Sequence, residues 1–176
     1  FQQQSLMLVY PALPPGTGWD ESIDVFVALF GGANSRCYWN IVQKGICNQA
    51  GVAWLAYEDT GMLAFYADGE PERCEEMLTA VREQIAAAVR DGVNADELER
   101  VKNRRRTHLA LEAENPRTRL MQLIDDIESY GHVRTPDARL AAVDAVSTRT
   151  IADYFERCPL AGDGLLLSIG ARDWPV

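Results

Sequence analysis

The sequence predicts an α+β fold, an antiparallel-rich sheet with helices mainly on one face. Three observations carry this reading. Val52–Tyr57 and Met62–Ala67 are two apolar, strand-forming runs separated only by Glu58-Asp59-Thr60-Gly61, a hairpin pattern. Apolar residues at helical spacing then dominate the second half of the chain. Lone strands stand near the two ends, and this segregated order is that of antiparallel pairing rather than a doubly wound parallel sheet.

The elements follow in order. Ser5–Tyr10 (S-L-M-L-V-Y) reads as a buried strand, and Pro11–Gly18, with three prolines and two glycines, as a loop. Asp20 stands where a cap belongs, before a helix with Ile23, Phe26, Val27 and Phe30 inward and Gly31-Gly32 at its end. Asn34 or Ser35 caps a second, short helix whose apolar positions are Cys37, Tyr38, Ile41 and Val42, closed by Gly45. The hairpin comes next, with Gly61 supplying a positive φ in its turn.

Glu70-Pro71 opens a long helix with Cys74, Leu78, Val81, Ile85 and Val89 as its buried stripe, ended by Gly92. Asn94 and Glu97 are spaced as a capping box for a helix carrying Leu98, Val101, Leu109 and Ala113 inward. Another runs from Pro116 to Tyr130 with Leu120, Leu123, Ile124 and Ile127 inward, stopped by Gly131. Pro136–Val143 is a short helix, Ile151, Tyr154 and Phe155 mark the last one, and Leu165–Ile169 is the closing strand.

With 176 residues, 47% hydrophobic and 24% charged, the chain fits a single globular domain that buries roughly two thirds of its unfolded surface. A net charge of −9 repels phosphate backbones, which argues against nucleic acid as a partner. Lys102 and Arg104-Arg105-Arg106 are the local exception and read as a solvated helix face balanced by Glu97, Glu99 and Glu112. No apolar run is long enough to span a membrane, and no basic start precedes an apolar signal core. The chain opens in strand-like sequence without methionine, which predicts a fragment of a longer polypeptide.

The chemistry-bearing residues are sparse. Cys37, Cys47, Cys74 and Cys158 form no C-x-x-C pair; Cys37 and Cys74 read as small buried thiols, and a Cys37–Cys47 disulfide stays open. His108 and His132 are 24 residues apart, whereas a zinc site built on a helix wants them at i and i+4. His108 reads as a partly buried helix histidine and His132 as a surface turn residue. No serine sits in a G-x-S-x-G elbow, and the adjacent Asp125 and Asp126 face different directions on a helix. The residues themselves therefore assign no catalytic and no metal-binding position.

A colinear series of motifs covers nearly the whole chain. It runs through Gly31-Gly32, Ser35-Arg36-Cys37-Tyr38, Gln43-Lys44-Gly45-Ile46 and Asp59-Thr60-Gly61. Gly92-Val93-Asn94-Ala95-Asp96-Glu97-Leu98 to Lys102 comes next, then Tyr130-Gly131 and Val146-Ser147-Thr148-Arg149-Thr150-Ile151. The series resembles the pitrilysin/insulysin/processing-peptidase group of zinc metallopeptidases. In that group the zinc-binding half carries H-x-x-E-H, which this chain lacks.

The resemblance implies the inactive C-terminal half of such an insulinase-type peptidase, one peptidase-like domain over residues 1–176. The implied cofactor is zinc in the partner half and none here. The implied partners are an H-x-x-E-H half-domain, on the same chain or a separate subunit, and an unfolded peptide. Some such halves carry an Arg and a Tyr that meet the substrate; by the motif spacing those positions are Val42 and Asn48 here. Gln43, Asn48 and Gln49 are left as the side chains able to hydrogen-bond a peptide. The alternative that the resemblance leaves is a structural or interaction subunit of a larger assembly, derived from a peptidase half.

Overall fold

The computed structural model describes residues 2–174. Four strands, β1 (Gln4–Ala12), β2 (Gln49–Ala56), β3 (Gly61–Gly69) and β4 (Leu165–Gly170), form one sheet in the order β2-β3-β1-β4. Every pairing is antiparallel, with Leu8 opposite both Phe65 and Leu166, and Val52 opposite Phe65. The helices are α1 (Asp20–Gly31), α2 (Cys74–Asp91), α3 (Ala95–Glu114), α4 (Pro116–Tyr130), α5 (Pro136–Ala145) and α6 (Thr148–Arg157). The fold class, the hairpin and the two terminal strands are therefore as the sequence predicts.

Alternation along the strands puts the core on one side. Leu6, Leu8 and Tyr10 of β1 and Leu63, Phe65 and Ala67 of β3 are buried beneath α1 and α2. Phe65 sits at the centre, edge-on to Phe30 at 5.0 Å and to Tyr10 at 5.9 Å between ring centroids. Phe26 meets Phe155 of α6 at 4.7 Å and joins the last helix to the same cluster.

Several local expectations change. Pro11 and Ala12 belong to β1, not to the loop; β4 begins opposite Val9, and the Pro11 carbonyl accepts from the Cys158 thiol at 3.1 Å. Asp20 is the first helical residue, not the cap, and its Oδ1 accepts the Gly16 N–H at 2.9 Å. The short second helix is a π-helical stretch, Tyr38–Val42, closed by the Gln43 N–H on the Tyr38 carbonyl. Ser35 does cap it, accepting the Tyr38 N–H at 3.1 Å. Tyr57 lies outside β2, in the hairpin turn.

The long helix is preceded by a 3₁₀ turn, Pro71–Arg73, and its inward stripe is Cys74, Met77, Val81, Ile85 and Ala88, with Val89 exposed. Asn94 caps α3 through the Asp96 N–H, but Glu97 does not complete a capping box. Arg36 holds it instead in a bidentate pair at 2.8 and 2.9 Å while also donating to the Gly92 carbonyl. Ala113 is exposed and Leu109 only partly covered.

The basic run is not a uniformly solvated face. Lys102 is buried and donates to the carbonyls of Asp144 and Val146 at 2.8 and 2.9 Å, satisfying the end of α5. Arg104 does the same for the end of α1, through the carbonyls of Ala28 and Ala33. Arg105 and Arg106 do pair with Glu112 and Glu99 as the composition suggests. The largest departure concerns α4: Leu120, Ile124 and Ile127 are exposed, and Asp126 is the residue this helix buries.

The Gly31-Gly32 pair ends α1 for a steric reason, since neither residue has a positive φ. A Cβ on Gly31 would stand 2.4 Å from the Val52 nitrogen, so the helix end lies directly on β2. Gly61 likewise lacks the positive φ expected of it; its added Cβ would meet the Leu13 carbonyl oxygen at 2.3 Å. Because backbone cannot move aside as a side chain can, Gly31→Ala is expected to cost about 1–3 kcal/mol in denaturant unfolding. An unchanged midpoint would show that α1 is not pressed against the sheet.

Candidate functional site

The three residues singled out for peptide contact surround the start of the edge strand β2. Asn48 donates its backbone N–H to the Asp68 carbonyl at 2.8 Å, and Gln49 opens β2 opposite Asp68, both with exposed side chains. They share one corner of the sheet. Gln43 is also exposed, but its Nε2 donates to the Tyr38 hydroxyl at 2.6 Å. Val42 packs partly against the core, so no substrate-facing group stands there.

Cys37 and Cys47 flank the same segment as free thiols, as do Cys74 and Cys158. Burial pushes the Cys37 thiol up to about 12. Burial also raises Cys47, against the opposing influence of backbone hydrogen bonding at Gln49. Both are protonated at neutral pH and serve packing, not nucleophilic attack.

Two apolar surfaces are open. The sheet face away from the helices presents Leu165, Leu167 and Ile169 of β4, exposed by 61%, 49% and 64%. Met7 and Val9 of β1 lie opposite Leu167 and Leu165, and Tyr66 and Ala64 of β3 continue the same rows. The second surface is the α4 stripe of Leu120, Ile124 and Ile127, one helical face at i, i+4 and i+7. Contiguous apolar surface of this kind marks contact with another protein surface.

A cleft of about 810 Å³ lies on the helix side of the sheet, between α1, α3, α4, α5 and the end of β2. Asp126 forms its inner wall. Although burial opposes ionisation, hydrogen bonds from Arg134 and Arg139 prevail and hold the Asp126 carboxyl below the usual range. Arg134 also pairs with Glu21 at 2.6 Å and lies 4.0 Å above the Tyr130 ring. Burial raises the Tyr130 phenol, and the charges of Asp20 and Glu21 raise it further against the opposing Arg134.

Asp24 lies in the same cleft. Its surroundings push it up from 3.8 to about 6, mainly by burial, with Glu21 and Asp20 adding to the rise and Arg105 and Arg134 opposing it. Its nearest cation, Arg105, is 4.0 Å away, and solvent reaching about half of the side chain screens part of the effect. A carboxyl raised in this way binds its proton more tightly in the folded chain. Its contribution to stability is therefore present at low pH and lost as pH rises through about 6. Asp24→Asn should raise the melting temperature at pH 8, and the gain should shrink at pH 5. An equal change at both pH values would exclude this titration.

Among the described residues, no group of three or more His, Cys, Asp or Glu side chains is arranged to hold a metal ion. His108 is exposed on α3 rather than partly buried. His132 occupies the exposed turn after α4, with Nδ1 2.9 Å from the Tyr130 carbonyl oxygen. No described helix is long and apolar enough to cross a membrane.

Comparison with known proteins gives a consistent result. The family model described as the peptidase M16 inactive domain matches residues 2–105. Uncharacterized zinc proteases of Mycobacterium bovis and Bacillus subtilis are 26% and 24% identical to the chain over 78% and 85% of its length. The chain spans only 32% and 37% of those relatives, about a third of each. Among solved structures, an inactive peptidase domain from Bordetella parapertussis superposes with a TM-score of 0.82 at 14% identity, covering 99% of this chain and 96% of that one. A protease from Helicobacter pylori gives a TM-score of 0.80 at 14% identity over 96% of this chain and 41% of that one. A chain of complex III from Candida albicans gives 0.79 at 14% identity over 96% and 43%. These likenesses establish a shared fold, and the family match over more than half of the sequence establishes kinship: the chain belongs to the peptidase M16 inactive-domain family.

Proposed function

We propose that this chain is the non-catalytic half of a zinc metallopeptidase and that it completes a peptide-binding chamber with an H-x-x-E-H half. In this reading residues 1–176 are one domain of a longer polypeptide or one subunit of a pair. Zinc and the activated water belong to the other half, and this domain orients an unfolded peptide and excludes solvent. The observation that carries the proposal is the open sheet face, whose aliphatic side chains have no cover within the described chain. Each is already about half buried, so covering the rest is worth roughly half of the 1.5–3 kcal/mol for a whole side chain. The length of the relatives, about two and a half times that of this chain, supports the reading.

Asn48, Gln49 and Gln43 are the proposed peptide contacts, as exposed amides beside the edge strand. Cleavage of a fluorogenic peptide by this chain, by its zinc half and by the two together tests the assignment. The chain alone is expected to cleave nothing at any zinc concentration, and the pair to cleave well above the zinc half alone. In the pair, Asn48→Ala or Gln49→Ala should slow turnover by about two- to tenfold, the worth of one neutral hydrogen bond of roughly 0.5–1.5 kcal/mol. Equal rates with and without this chain would instead favour a structural subunit.

The docking face has its own test. Leu167→Glu places a charge on the open face at a half-exposed position, so the fold should survive. Association with the zinc half, read by sedimentation, is expected to weaken by at least about tenfold. If Leu167→Glu binds normally and Ile124→Glu on α4 does not, the helical stripe is the docking surface.

A further inference from the structure

The aliphatic stripe on α4 is the second open surface, and its charges follow a pattern of their own. Leu120, Met121, Ile124 and Ile127 are exposed by 40% to 56%. The opposite side of the helix is tied down by Asp126 on Arg134 and Arg139. Arg117 and Glu128 stand at the two ends of the stripe. Both are exposed, and among the described residues neither forms an ion pair.

Each of these charges sits at the helix end that disfavours it. Arg117 lies in the first turn, where the helix dipole is positive, and Glu128 in the last, where it is negative. The first turn of α4 holds no acidic residue and the last no basic one, whereas α2 has Glu75 and Glu76 first and Arg90 last. Glu128 follows Arg117 by eleven residues, about three turns, so the two share one face with the stripe. Met121 and Ile124 are equally far from the middle of that span. A second α4 laid antiparallel about a twofold axis there brings each Arg117 to Glu128 of the other copy, and each Met121 to its Ile124. That arrangement sets a carboxylate beside each helix start and a guanidinium beside each helix end. A parallel pair would stack like charges.

We propose that α4 is a self-association surface on which a second copy of this chain docks antiparallel, with the aliphatic stripes in contact and reciprocal Arg117–Glu128 pairs at both ends. One face of a 15-residue helix lies at the small end of specific interfaces, so the dimer is weak and reversible. The surface is separate from the open sheet face, and the inference does not rest on the chamber-completing reading.

Sedimentation equilibrium of the 176-residue chain over a range of concentrations tests it. Salt at about 0.15 M screens the mutual repulsion of two chains of net charge −9 and weakens contact pairs less. The apparent mass should rise with concentration from 19.6 kDa toward twice that value. Ile124→Glu, Arg117→Glu and Glu128→Arg should each weaken association by at least about tenfold, and melting curves confirm that each variant is folded. Leu167→Glu, on the sheet face, should leave it unchanged. The double variant carrying both charge reversals should associate again. So should an equimolar mixture of the two single charge variants, because their heterodimer has both pairs matched. A mass fixed at 19.6 kDa, normal association of the single charge variants, or no recovery in the double variant and the mixture overturns the proposal. Association lost in Leu167→Glu and kept in Ile124→Glu overturns it as well, and assigns self-association to the sheet face.

Discussion

The one-sidedness of β1 is the constraint from which the rest of the molecule follows. Leu6, Leu8 and Tyr10 are buried while Met7 between them is exposed, and β1 lies between β3 and β4. A central strand that buries only alternate residues commits the whole sheet to one covered face. The helices therefore crowd one side, and α1 comes close enough to β2 that only glycine fits at position 31. The crowding also sets four helices around a cleft, while the other face of the sheet stays open.

Polar side chains reach across this layer where helices end. Lys102 completes the end of α5, Arg104 the end of α1, and Arg36 links the π-helical segment to the first turn of α3. Each gives a charged donor to carbonyls or to a carboxylate near a helix end. The Arg134–Asp126–Arg139 cluster fixes the segment after α4 in the same way, across 8 residues in one direction and Glu21 in the other. These contacts hold α4 at the rim, where hydrophobic packing does little for it.

Local periodicity made most elements legible. Strand alternation, proline at helix starts and glycine after Tyr130 all worked because each depends on near neighbours. What was not legible depends on distance. The α4 aliphatics have a correct helical spacing, but spacing does not say whether the covering surface belongs to this chain. Glu97 looked like a cap partner until Arg36, 61 residues earlier, engaged it. Lys102 looked solvated because its carbonyl partners lie more than 40 residues on. The sites divide in the same way: Gln43, Asn48 and Gln49 came into view through a colinear resemblance, whereas the cleft draws on five elements and leaves no local signature.

The pairing of β1 with β4 has a consequence for how the molecule is made. Gln4 lies opposite Gly170, and its side-chain amide donates to Ser168 and to the Arg172 carbonyl while accepting the Arg172 N–H. A contact closed over more than 160 residues carries a large loop-closure entropy and raises the contact order of the whole sheet. During synthesis the β2–β3 hairpin and α2 can pack on β1 early, yet one edge of β1 must wait, unpaired, until nearly the entire domain has emerged. That waiting edge is flanked by apolar side chains, so the nascent chain is exposed to strand-to-strand aggregation for longer than its size alone would require.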